Sequence, residues 1–219
     1  MAAMDTRSDL PEHEKTLCVI PAAGRSSRME GGASGDFKPL LAWKDKRLID
    51  AVLECCLQAG VRPLVVSGYR GAELEAALSG YPGLATIRND AWEAGMLGSI
   101  RLGAKEALRI DPRGDGFFVA PADMPLLPAR ALSALLAEAR GRKSAGEQAV
   151  ALFPSAEGEL GHPVWIPYSF LPDMEGLAPD GRLRAFIMGR SWASVELGDR
   201  GILLDIDTPD AYANACPPP

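Results

Sequence analysis

The sequence predicts an α/β protein built on a largely parallel sheet with helices on both faces. Short apolar runs of strand length recur along the chain, and segments of helical period separate them. Neither an internal repeat nor a low-complexity block interrupts the alternation. Strands joined through helices form βαβ units, whose crossovers cover both sides of a parallel sheet. In such sheets ligands bind outside the carboxyl ends of the strands, so those ends are where chemistry is sought.

The elements follow in order. Residues 16–20 (TLCVI) read as a buried strand. Over 48–59, Ile49, Val52, Leu53, Cys56 and Leu57 share one helical face, and Gly60 stops the helix. Residues 63–67 (PLVVS) form a second strand, 72–78 a helix and 85–88 a short third strand. Then come a helix over 99–108, a strand over 116–120 (GFFVA) and a helix over 128–140. Residues 149–153 (AVALF) form a strand, 182–188 a short helix and 202–206 a late strand. Thr208 is a good N-cap with Pro209 at the first helical position, so a final helix begins there. Residues 154–200 are the least regular and read as a cap over the site. Residues 1–14 read as a disordered leader and 15–216 as a single domain.

Charge and cysteine usage narrow the class. Lys+Arg number 23 and Asp+Glu 29, a net charge of −6. That balance argues against nucleic acid or an anionic membrane as the main partner, although a few local cations suffice for a nucleotide. No apolar run approaches the ~18 residues of a membrane span, and the polar start lacks the apolar core of a signal peptide. Cys18, Cys55, Cys56 and Cys216 form no C-x-x-C, and with only His13 and His162 available no zinc cluster is in view. These cysteines read as thiols of a reducing cytosol, which places the protein in the cytoplasm.

Three segments carry chemistry. After the first strand, Pro21-Ala22-Ala23-Gly24-Arg25-Ser26-Ser27-Arg28-Met29 offers small residues for close backbone approach, N–H groups for phosphate oxygens, and two arginines. It matches neither G-x-x-x-x-G-K-[ST] nor G-x-G-x-x-G. Downstream, Lys38 can return to the same phosphates, and three cations would neutralise the charge developing on a leaving pyrophosphate. Asp123 lies just past the strand at 116–120, and Asp207 just past the late strand. Carboxylates at separate strand ends can converge on one Mg²⁺, which prefers oxygen ligands and retains waters and substrate phosphates.

Together these segments resemble the MobA-like nucleotidyltransferases, and within them the molybdenum cofactor cytidylyltransferase branch. The resemblance rests on Ala22-Ala23-Gly24-x-Ser26-x-Arg28-Met29 with Phe37-Lys38-Pro39-Leu40-Leu41. Asn89-Asp90 with Gly95-Met96 and Ser99, Asp123-Met124-Pro125, Gly161-His162-Pro163 and Asp205-x-Asp207-Thr208-Pro209 follow in the same order, across about residues 16–212. The resemblance implies a three-layer, Rossmann-like doubly wound fold and transfer of NMP from an NTP to a phosphorylated small acceptor such as molybdopterin. It implies phosphate roles for Ala22, Ala23, Gly24, Arg25, Ser26, Arg28 and Lys38, with Lys38, Arg28 and Asp123 at the reacting centre. Gly95 and Ser99 would lie near the base or ribose, Asp123 and Asp207 would hold Mg²⁺, and His162 would meet the acceptor. Ala23 stands where the guanylyltransferases carry a second glycine, which implies CTP. Residues 30–36, with three glycines, are longer than the family usually has there, and read either as a lid over the triphosphate or as a tolerated insertion. A sugar- or polyol-phosphate nucleotidyltransferase would share the chemistry. A non-catalytic cofactor carrier would not need a metal-held triphosphate.

Overall fold

The computed structural model describes residues 16–25, 37–178 and 181–215. Ser26, Arg28, the expected leader and the 30–36 loop lie outside the described residues.

The described residues open with β1 (Leu17–Pro21) and include a 3-10 turn at Lys38–Leu40, followed by a small hairpin of β2 (Ala42–Trp43) and β3 (Lys46–Arg47). Helix α1 (Leu48–Gln58), β4 (Arg62–Ser67), α2 (Gly71–Leu78) and β5 (Ala85–Arg88) come next. Helix α3 (Met96–Ile110), β6 (Gly116–Val119) and α4 (Ala129–Ser144) complete the expected alternation. The last part contains β7 (Ala151–Ala156), β8 (Glu159–Leu160), β9 (Val164–Pro167), α5 (Leu171–Glu175), α6 (Leu183–Met188), β10 (Trp192–Glu196) and α7 (Pro209–Ala215).

The main sheet runs β5-β4-β1-β6-β9-β7-β10, with β8 paired to the end of β7. β5, β4, β1 and β6 are mutually parallel. β9 is antiparallel to both β6 and β7, and β10 is parallel to β7. The sheet is therefore mixed but mostly parallel, as expected.

Side-chain alternation explains the three layers. From β1, Cys18 and Ile20 face the core formed with α1, α2 and α4, through Val52, Leu53, Leu74 and Leu132. Leu17 and Val19 face the other core, formed with α3, α5 and α6 through Ile100, Ala104, Met174 and Phe186. Because both sides are covered, all of Leu17–Ile20 is inaccessible.

The chain passes from β1 outward through β4 to β5, then returns to lay β6 on the other flank of β1. That reversal opens a crevice at the carboxyl ends of β1 and β6.

Two expectations need correction. Residues 202–206 form no strand. A 3-10 turn at Arg200–Leu203 is followed by an irregular segment. Ile202 and Ile206 are buried, but Leu204 between them is exposed, so the run is two anchors rather than one strand. Residues 154–200 are far from irregular, since they supply three strands and two helices after β7. The final helix starts as expected, with the Thr208 hydroxyl accepting from the Ala211 amide at 3.1 Å.

Candidate active site

Lys38 opens its 3-10 turn directly after the buried Phe37. The Phe37 ring stands edge-on to Tyr69 at 6.1 Å and under the Arg70 guanidinium at 5.3 Å, which fixes where the turn starts. Asp123 follows β6, where the Ala120 amide still bonds to the Val19 carbonyl (3.1 Å), so the segment leaves the sheet beside β1. Its backbone carbonyl accepts from the Ile206 amide at 2.9 Å. This bond draws the segment carrying Asp205 and Asp207 over the same crevice.

The three expected residues meet. The Lys38 ammonium lies 2.5 Å from Asp123 Oδ2 and 2.7 Å from Asp207 Oδ1. Only 7% of the Lys38 side chain is exposed, against 21% for Asp123 and 40% for Asp207. Burial works against the charged ammonium, yet the carboxylates of Asp123 and Asp207 outweigh it and hold Lys38 above the ordinary lysine value. Asp205 adds a third acid. Partial burial of its carboxyl and the charges of Asp207 and Asp123 raise it above the usual aspartate value, with Lys38 partly offsetting them. In the sequence Asp205 stands in the closing motif, two residues before Asp207, with no role attached to it. Its position one turn of alternation from Asp207 was the available signal.

The β1 loop remains stitched to β4 beyond the strand. The Ala22 amide bonds to the Val66 carbonyl, and the Ala23 carbonyl accepts from the Tyr69 amide, both at 2.9 Å. Ala22's N–H is thereby committed to the sheet. Ala23 is buried, and a Cβ built on Gly68 would lie 2.7 Å from the Cβ atoms of both Ala23 and Trp92. Glycine at 68 lets those two segments close together. Gly24 faces open space, with no described atom within 4 Å of where its Cβ would sit. Arg25 lies over the Tyr69 ring at 5.8 Å. Tyr69 in turn meets Trp92 at 5.4 Å. This aromatic wall was missed in the sequence, although Tyr69 sits just past a strand end, the rule that found Asp123.

Gly95 adopts φ 114° and leads directly into α3. Ser99 is not presented to the crevice. It is buried, and its hydroxyl accepts from Asn89 Nδ2 at 2.9 Å, while Asn89 Oδ1 holds the Ala91 amide. His162 sits where Gly161 passes against the Arg200–Leu203 turn, a Cβ there falling 2.3 Å from the Ile202 carbonyl oxygen. The His162 amide bonds to that oxygen at 2.9 Å. Burial, with Arg184 adding to it, pulls the imidazole down to about 4, against the opposing influence of Asp205 and the Val119 backbone. His162 is thus a neutral imidazole, and its Nδ1 is sealed from solvent without a hydrogen-bond partner among the described residues.

Among the described residues no three or more His, Cys, Asp or Glu side chains group to hold a metal ion. Two carboxylates nonetheless suit Mg²⁺, because its shell is completed by waters and substrate oxygens. Asp123 Oδ1 is buried and lacks a partner among the described residues, so a donor oxygen is present. The donor set therefore fits a hard divalent ion. No helix among the described residues is long and apolar enough to cross a membrane.

Comparison with known proteins identifies the family. The family model for the MobA-like NTP transferase domain matches residues 18–195. The chain is 29% identical over 199 residues to the molybdenum cofactor cytidylyltransferase of Escherichia coli (strain K12), covering 90% of this chain and 94% of that protein. It is 36% identical over 124 residues to the molybdenum cofactor guanylyltransferase of Xanthomonas euvesicatoria pv. vesicatoria (strain 85-10), covering 57% and 55%. Among solved structures, a nucleotidyl transferase from Methanothermobacter superposes with a TM-score of 0.76 at 25% identity, covering 92% of this chain and 95% of that one.

Proposed function

Because the chain belongs to the MobA-like NTP transferase family and is a nucleotidyltransferase of that family, we propose that it transfers CMP from CTP to a phosphorylated small acceptor, such as the molybdenum cofactor for which its Escherichia coli relative is named. The observation that supports this most is the junction of Lys38 with Asp123 and Asp207 at the carboxyl ends of the strands. A carrier of finished cofactor has no use for such a junction, whereas transfer from a triphosphate does.

The chain's residues divide the work. Asp123 and Asp207 hold Mg²⁺, which when bound supplies positive charge to the phosphate oxygens. Lys38 neutralises the pyrophosphate as it leaves, and Arg25 and Arg28 hold the outer phosphates. Gly24 lets the triphosphate approach the backbone, and Gly95 and the Asn89–Ser99 pair shape the nucleoside side. His162, buried and kept neutral, shapes the acceptor side without adding charge. Positioning and electrostatics carry such a displacement, and no covalent enzyme intermediate is needed. The protein works in the cytoplasm.

Ala23 favours CTP over GTP, while the similarity to a guanylyltransferase keeps GTP as the second reading. A screen of CTP, GTP, ATP and UTP with Mg²⁺ and molybdenum cofactor separates them. Pyrophosphate release with CTP supports the proposal. Release with GTP alone would replace it by the second reading.

A further inference from the structure

The Lys38 ammonium stands on the same oxygens that the proposed function gives to a divalent ion. Its nitrogen lies 2.5 Å from Asp123 Oδ2 and 2.7 Å from Asp207 Oδ1. Mg²⁺ requires oxygens at about 2.0–2.1 Å. An ammonium and a dication held on the same pair of carboxylate oxygens repel each other at contact distance. We propose that in the nucleotide-free protein Lys38 is a built-in occupant of the divalent-cation position. Ion and triphosphate then enter together, the phosphates receiving Lys38 as the ion receives its carboxylates.

The local structure suits such an exchange. The Lys38 backbone is fixed, because its 3-10 turn is closed by Leu40 N–H to the Phe37 carbonyl (2.8 Å) and Leu41 N–H to the Lys38 carbonyl (3.1 Å). Only the four-carbon stem has to rotate, so the ammonium can change partners without refolding the segment. The acids outnumber the cation in this cluster. Two carboxylates, Asp123 and Asp207, contact the one ammonium, so the position needs a positive occupant when no metal is bound. The buried, unpartnered Asp123 Oδ1 offers an incoming ion an oxygen that Lys38 leaves unused. The consequence is functional: the metal is kept weak until a triphosphate is present, which couples ion binding to substrate binding.

This inference rests on the reading of Asp123 and Asp207 as metal ligands, and the experiment separates the two. Mn²⁺ affinity of the full chain without nucleotide is measured by electron paramagnetic resonance and calorimetry for wild type, Lys38→Met and Lys38→Arg. The exchange predicts that Lys38→Met binds Mn²⁺ at least about tenfold more tightly than wild type, while Lys38→Arg, which keeps the cation, does not. Equal affinity of wild type and Lys38→Met overturns the inference and leaves the metal assignment standing. Absence of Mn²⁺ binding in every protein, with and without CTP, overturns both. Should Lys38→Met fail to fold, amidination of wild-type Lys38, read by peptide mass spectrometry, decides instead. Saturating Mn²⁺ should raise its rate at least about threefold by releasing the ammonium, and an unchanged or lower rate overturns the exchange.

Discussion

Asp123→Asn is expected to lower kcat/KM by about 10²–10³-fold while shifting Tm by no more than about 8 °C. The substitution preserves shape and removes one charge from a side chain that is 21% exposed. Two opposing effects set its stability cost. The bond from Lys38 at 2.5 Å loses its charged acceptor, and a hydrogen bond to a charged group is worth up to about 1.5–3 kcal/mol. Asp207 still holds the ammonium at 2.7 Å, and Asp205 and Asp207 are relieved of a like charge. The net cost is then about 0–2 kcal/mol, and for a chain of this length each kcal/mol moves Tm by about 2–4 °C. Activity has no such compensation. Loss of one preorganised charge at the reacting centre costs about 3–4 kcal/mol of transition-state stabilisation. Initial rates of pyrophosphate release with Mg²⁺ and CTP, paired with thermal denaturation, measure both. Activity within about threefold of wild type would refute the reasoning. So would a fall in Tm of more than about 15 °C, because it would make Asp123 a packing residue.

Ala23→Gly should relax the preference for CTP over GTP by roughly 10–200-fold, the value of one methyl-sized difference in a fitted pocket. Competition binding that leaves the ratio unchanged removes Ala23 as the selector. Gly161→Ala forces a methyl to 2.3 Å from the Ile202 carbonyl oxygen, so stability in urea should fall by about 1–3 kcal/mol. An unchanged denaturation midpoint would show that the two segments can part freely. The His162 imidazole is lowered to about 4 in the folded protein, against 6.5 ordinarily, so the unfolded chain binds its proton first. Its contribution is therefore complete above pH 6.5 and is lost as pH falls from 6.5 towards 4, by up to ~3 kcal/mol. His162→Asn should flatten that part of the profile in urea denaturation at several pH values, and parallel profiles would contradict the assignment.

The alternating core was legible because central parallel strands are buried on both faces and read as continuous apolar runs, as in β1 and β6. The edge was harder. β10 alternates half-buried and exposed residues over Trp192–Glu196, and β9 is framed by Pro163 and Pro167, so neither gives a strong strand signal. The false strand at 202–206 came from Ile202 and Ile206, which anchor in separate clusters rather than in the sheet. In the site, the strand-end rule located Asp123, whereas Lys38 reaches it from a 3-10 turn and Asp207 from an irregular segment held by the Ile206 amide on the Asp123 carbonyl. Ser99 turns its hydroxyl to Asn89, an orientation that depends on how α3 is rotated and that its sequence spacing leaves open. Tyr69 and Trp92 carry no motif of their own, and only the placement of their rings beside Arg25 and the β1 loop sets them apart from core aromatics.

Nucleotide transfer itself is read by mixing the purified chain with Mg²⁺, CTP and molybdenum cofactor, and measuring pyrophosphate together with the nucleotide-linked product by mass spectrometry. A cytidylyltransferase gives equimolar pyrophosphate and a CMP adduct of the acceptor, both abolished by Lys38→Met. Tight binding of the cofactor with neither pyrophosphate nor adduct, for any of the four NTPs, would contradict it and identify a carrier instead.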